Sequence, residues 1–181
     1  MKNKKNTGKL VITAVFSAML CVVAPITIPL PISPVPVSLA SCIIFTASFV
    51  LPPMQCVLSV LVYLILGGVG LPVFAGFSGG AGIIAGPTGG YLIGYLAAAF
   101  IASLFNFKFK KTYLSVIGMI TGTLIMYFIG TVWFSFTQDT DFVSALLVCV
   151  VPYLLTDALK ISVALVIGRR ISVMNLTDRL L

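Results

Sequence analysis

The sequence contains no histidine. That removes the commonest metal ligand and the commonest general base near neutral pH. Charge is almost as scarce. Only 8% of the 181 residues are Asp, Glu, Lys or Arg, against about 25% in soluble domains. A surface drawn from so few charges cannot be made polar, which excludes a water-soluble domain. Cysteines with metal-ligand or redox spacing are also missing. Cys21, Cys42, Cys56 and Cys149 each stand alone in an apolar segment, where a thiol packs as a small hydrophobe. The basic head and apolar run at the N-terminus lack a small-x-small cleavage site. Residues 10–24 are therefore expected to remain as a first helix. No GxGxxG follows a strand and no phosphate-loop lysine is present, so a nucleotide-binding role has no motif to rest on.

What is present is apolar. Residues of the hydrophobic types make up 60% of the chain, and the mean hydropathy is +1.19. Uncharged apolar runs of about 20 residues read as membrane-spanning helices. Six are predicted: 10–24, 37–51, 54–66, 89–104, 113–133 and a last one opening near Pro152, after a short separate helical piece. Proline is favoured in the first turn of a helix, which places that opening. The fold class is an all-α integral membrane protein, a single domain over residues 1–181. Three segments lie outside the spans: a basic tail (1–9), a proline-rich loop (25–36) and a glycine-rich loop (67–88).

The net charge of +7 resembles a nucleic-acid signal, but its distribution argues against one. Lys2, Lys4, Lys5 and Lys9 lie in the tail, Lys108, Lys110 and Lys111 in one short connection, and Arg169, Arg170 and Arg179 near the C-terminus. With six spans and both termini in the cytoplasm, all these residues fall inside, as the positive-inside rule requires. Five or seven spans would expose one cluster. Asp139, Asp141 and the proline- and glycine-rich loops then share the outer face.

Asp157 and Lys160 are the ionisable side chains within a span. Each costs at least about 2.5–3.5 kcal/mol to insert. Spacing i, i+3 puts both on one helix face, where they can neutralise each other. Three readings follow: a structural ion pair, a proton relay, or a substrate-binding pair. In the third, Lys160 holds an anion as a point charge and Asp157 accepts N–H groups. The stretch "GLPVFAGFSGGAGIIAGPTGGY" (70–91) carries eight of the 16 glycines and no charge. Non-helical backbone at membrane depth is tolerated where it is buried in protein or lines a cavity. Glycine also lets backbone approach a ligand closely. The loop reads as a cap over an outward-facing pocket, or else as a closely packed connection. Phe74, Phe77 and Tyr91 add aromatic surface, and Ser78 and Thr88 add hydroxyls. On the first span, Ala14 and Ala18 form a small-xxx-small pair that suits close contact with another membrane helix.

The order of these elements resembles the BioY family, the biotin-specific substrate-binding (S) components of energy-coupling-factor (ECF) vitamin transporters. Three stretches carry the resemblance: "PLPISPVPVSL" (29–39), "GGVGLPVFAGFSGGAGIIAGPTGGYLIGY" (67–95) and "PYLLTDALKISVAL" (152–165). The resemblance implies six membrane helices and biotin held beneath the loops after the first and third. It implies a membrane coupling (T) subunit that meets the Ala14–Ala18 face, and two ATP-binding cassette ATPases that hydrolyse ATP. The chain itself is then no enzyme and carries no cofactor. The substrate-binding residues expected are Asp157, Lys160, Phe74, Gly76, Gly79, Gly80, Thr88 and Tyr91. The ureido N–H groups are expected on Asp157, with Lys160 contacting the ligand or orienting Asp157. Many members carry Gln where this chain has Ala40, and some carry Asn at Gly76, so fewer polar side chains are offered here. The alternative function is a stand-alone or proton-coupled carrier, with the proton on Asp157. An intramembrane enzyme lacks a histidine, a carboxylate pair or a Ser–Lys dyad to work with.

Overall fold

Proline and glycine set where the helices begin and end. In the computed structural model, which describes residues 2–29, 35–109 and 111–173, helix α1 (Lys2–Val23) stops two residues before Pro25. It begins at Lys2, so the expected basic tail continues the first helix. Strands β1 (Thr27–Ile28) and β2 (Val37–Ser38) pair antiparallel, Thr27 opposite Ser38 and Ile28 opposite Val37. The flanks of the proline-rich loop thus form a small hairpin. Residues 30–34 of that loop, Lys110 of the basic connection, and Arg179 lie outside the described residues.

The second predicted span departs from expectation. Helix α2 (Ala40–Ala47) has only 8 residues, about 12 Å of helix. Hydrogen-bonded turns carry the chain on to Leu51. Backbone that leaves a helix in an apolar setting needs substitute partners. Ser103 supplies one, its Oγ donating to the Leu51 carbonyl at 2.6 Å. Asn106 joins the same patch, its Nδ2 donating to Ser48 Oγ at 2.7 Å. Helix α3 (Pro53–Gly68) opens on Pro53, where the missing N–H would have no partner anyway.

The glycine-rich segment is more ordered than a loop. It holds a 3₁₀ turn (Ala75–Phe77) and the five-residue helix α4 (Ala81–Ala85). The long helices α5 (Gly89–Phe109) and α6 (Thr112–Gln138) follow. Helix α7 (Phe142–Cys149) is the separate piece expected before Pro152. A 3₁₀ turn (Val151–Tyr153) then leads into α8 (Leu154–Val173). Two acids serve as helix ends. Asp139 closes α6 in the left-handed conformation, φ 51°, and Asp141 caps α7 by accepting the Val143 N–H at 3.1 Å.

Segments 89–109, 112–138 and 142–172 are each long and apolar enough to cross a membrane. The outward faces are apolar, with Leu10, Val15, Ile65, Phe128, Leu155 and Val166 exposed. The interior holds two clusters. One joins α1, α2 and α3 around Leu20, Ile44, Val60 and Tyr63. The other joins α5, α6 and α8 around Tyr91, Met119, Met126, Tyr127 and Ala164. Helix α5 lies closely along α6. A β-carbon on Gly94 would press on Met126, and one on Gly122 on the backbone of Ala98. In lipid, where apolar burial does not drive helices together, such backbone-to-backbone packing holds the pair.

Gly122→Leu is expected to force α5 and α6 apart and lower stability by about 1–3 kcal/mol, read as a fall in melting temperature in detergent. Phe136→Ala, at an 89% exposed residue, should stay within about 0.5 kcal/mol of the parent. Equal losses for the two would show that the α5–α6 seam does not hold the fold.

Candidate functional site

Helix α8 starts at the Pro152 turn and so carries Asp157 in its first turn, where the helix dipole favours a carboxylate. One turn on, Lys160 Nζ lies 2.7 Å from Asp157 Oδ1. Both residues are buried, 6% and 8% exposed. The second carboxylate oxygen accepts a hydrogen bond from the Tyr127 hydroxyl on α6. Asp157 is thus held from its own helix and from a neighbouring one. An ammonium carries three N–H donors. Among the described residues, Asp157 is the one hydrogen-bond partner of Lys160.

A chamber of about 40 Å³ lies over the pair, walled by Ser41, Tyr127, Cys149 and Tyr153. By volume it admits a few waters at most. A second chamber of about 170 Å³ lies under the glycine-rich segment, walled by Tyr63, Phe74, Ser78 and Thr88. The two share Val35, Pro36, Ser38, Tyr91 and Tyr95, and so adjoin. Five of the six tyrosines line one chamber or the other: Tyr63, Tyr91, Tyr95, Tyr127 and Tyr153. The sequence reading named only Tyr91. The missed signal is tyrosine inside apolar runs. A buried phenol needs a partner for its hydroxyl, which draws it toward a polar interior rather than lipid.

The glycine-rich segment is clamped on three sides. The Gly80 N–H donates to Gly67 O at 2.7 Å, at the end of α3, and the Gly76 N–H to Pro25 O at 3.1 Å, just past α1. Trp133 Nε1 on α6 donates to Gly86 O at 2.9 Å. Phe74 is buried, its ring pressed on Gly67 and edge-on to Tyr63 at 5.5 Å between centroids. Of the residues predicted for the site, Asp157, Lys160, Phe74, Thr88 and Tyr91 line the chambers. Gly76, Gly79 and Gly80 do not; they shape the wall behind. Gly76 (φ 67°) and Gly80 (φ 104°) adopt positive φ, which side chains disfavour. Gly79 sits directly against the Leu71 carbonyl.

The hairpin forms the opposite wall. Ser38 Oγ donates to Ala24 O at 3.0 Å, and the Tyr153 hydroxyl donates to Val35 O. Ala40 is buried in the core, and Ser38 and Ser41 on either side of it face the chambers. Ala14 and Ala18 lie apart from the site, exposed on α1.

Apolar helices enclosing a two-chamber, tyrosine-lined cavity over one ion pair define a membrane protein built to bind a small molecule. The chain belongs to the BioY family, whose model matches residues 1–175. It is 39% identical over 160 residues to a probable biotin transporter BioY of Pyrococcus horikoshii, covering 88% of this chain and 93% of that one. It is 36% identical over 163 residues to the biotin transporter BioY of Thermotoga maritima, covering 90% and 95%. Its fold matches a crystal structure of the S-component for biotin from an ECF-type ABC transporter, with a TM-score of 0.87, 29% identity and 94% of both chains covered. It is a multi-pass protein of the cell membrane.

Asp157→Ala should cost about 3–5 kcal/mol, because it strands a buried ammonium. Replacing both partners, Asp157→Leu with Lys160→Met, should recover most of that. Thermal unfolding without ligand measures both, and a double variant as unstable as the single one would refute the pairing argument.

Proposed function

We propose that this chain captures biotin in the two-chamber cavity and serves as the substrate-binding subunit of an ECF-type importer. The observation that carries the reading is a cavity with a donor–acceptor pair at its deep end, in a fold shared with a biotin S-component. A ureido group presents a C=O beside N–H groups. Lys160 retains N–H donors for the C=O, and the Asp157 oxygens retain lone pairs for N–H. The inner chamber takes only the ureido end; the apolar bicycle then lies at the junction with the larger chamber, beside Tyr91 and Tyr95, which line both. The carboxylate tail reaches the outer chamber, where Ser78 and Thr88 supply hydroxyls and the N-terminal end of α5 favours an anion.

In this reading the chain binds and does not catalyse, and it needs no cofactor. A membrane coupling subunit seats on α1 at Ala14 and Ala18, and two partner ATPases supply the energy. The chain crosses the membrane six times, the 40–51 segment making one crossing, with both termini in the cytoplasm. The glycine-rich segment, the hairpin and the α6–α7 turn face outward.

Purified protein should bind biotin at one site, and Lys160→Ala should weaken it by about tenfold or more. Unchanged affinity would sink the site assignment. Thiamine or riboflavin found by mass spectrometry in protein purified without added vitamin would overturn the choice of ligand. For topology, Gln138→Cys should react with a membrane-impermeant maleimide in intact cells and Lys108→Cys should not; the reverse pattern would invert the proposed orientation.

A further inference from the structure

A cavity larger than either chamber lies elsewhere among the described residues. It is a groove of about 300 Å³ between α6 and α8, lined chiefly by Val116, Ile120, Leu124, Leu154 and Ile161. Its neighbours Ile117, Phe128 and Leu155 are exposed and apolar, so the groove opens toward lipid. Tyr127 and Asp157 line this groove and the inner chamber alike. They form the partition between the ligand side and the bilayer side.

That position puts a demand on Asp157. Its salt bridge comes from Lys160, three residues away on the same helix. A partner on the same helix leaves the pair free to swing as a unit toward the groove. Among the described residues, the hydrogen bond from Tyr127 is the one that fixes the carboxylate to another helix. Tyr127 stands on α6, which is itself locked to α5 along the glycine seam. Tyr127 is 6% exposed and belongs to the core cluster, so the hydroxyl is delivered from a packed base.

We infer that Tyr127 is a positioning residue of the ligand site. Its hydroxyl fixes Asp157, Asp157 fixes the Lys160 ammonium, and the ligand senses Tyr127 through that chain. The inference rests on the biotin-site reading above. A residue working through Asp157 must lose its effect when the carboxylate is removed. A residue that contacts ligand directly, or merely fills space, must not.

Isothermal titration with biotin on purified full-length protein tests this. Tyr127→Phe keeps the ring and removes the donor, and should weaken binding about tenfold. In the Asp157→Asn background the same change should cost less than about twofold. Tyr127→Gln, which keeps a donor, should bind biotin more tightly than Tyr127→Leu, which does not; this comparison serves if Tyr127→Phe fails to fold. No effect of Tyr127→Phe, an undiminished loss in the Asp157→Asn background, or equal losses for Gln and Leu would overturn the inference. Failure of the parent to bind biotin, or parental affinity in Asp157→Asn, would instead overturn the site reading on which it rests.

Discussion

The buried contact of Lys160 with Asp157 is the constraint around which the interior is arranged. Two charges in an apolar bundle are tolerable only when they meet and when their remaining valences find partners. The first condition is met within α8 by three-residue spacing. The second draws in other helices. Tyr127 reaches the carboxylate from α6, and Tyr91, Tyr95 and Tyr153 gather around the chamber above it. The pair places charge at one end of a cavity whose walls are otherwise largely aromatic and aliphatic, and Tyr127 stands between that end and the lipid-facing groove.

Glycine serves two different ends in this molecule. Along α5 and α6 it removes side chains so that two long helices touch backbone to backbone, giving a rigid base for Tyr91 and Tyr127. In the segment after α3 it permits positive φ and close turns, so that an uncharged stretch of chain bonds to itself, to Pro25 and to Trp133. That segment is tied to its neighbours at three points. The hairpin facing it bonds through Ser38 to the end of α1 and through Val35 to Tyr153, just before α8. Tyr153 lies one turn before Asp157, so the hairpin and the ion pair hang on the same end of one helix.

Much of this was legible in advance, and the failures have physical causes. The start of α5 at Gly89, the division at Pro152 and the separate piece α7 all follow from local backbone rules for glycine and proline. The length of the second helix was missed, because 37–51 is one apolar run while its helix covers only 40–47. Hydropathy reports that a segment is buried, not that it is helical. Here Ser103 and the turns to Leu51 satisfy the backbone that the helix does not. Of the residues expected against the ligand, Phe74 and Thr88 line the outer chamber, while Gly76, Gly79 and Gly80 belong to the segment that walls it.

The sequence by itself determined that the chain lives in a membrane, which segments are apolar, that Asp157 and Lys160 share a helix face, and which family the motifs resemble. These are properties of short stretches, set by charge, periodicity and backbone preference. Only the tertiary structure decided that Tyr127 completes the pair, that five tyrosines converge, and that the glycine-rich segment bonds to Gly67, Pro25 and Trp133. Those depend on contacts between residues well apart in the chain, Tyr127 with Asp157 and Gly86 with Trp133 among them. Such contacts arise from how helices cross in the folded bundle, and no local pattern in the chain encodes them.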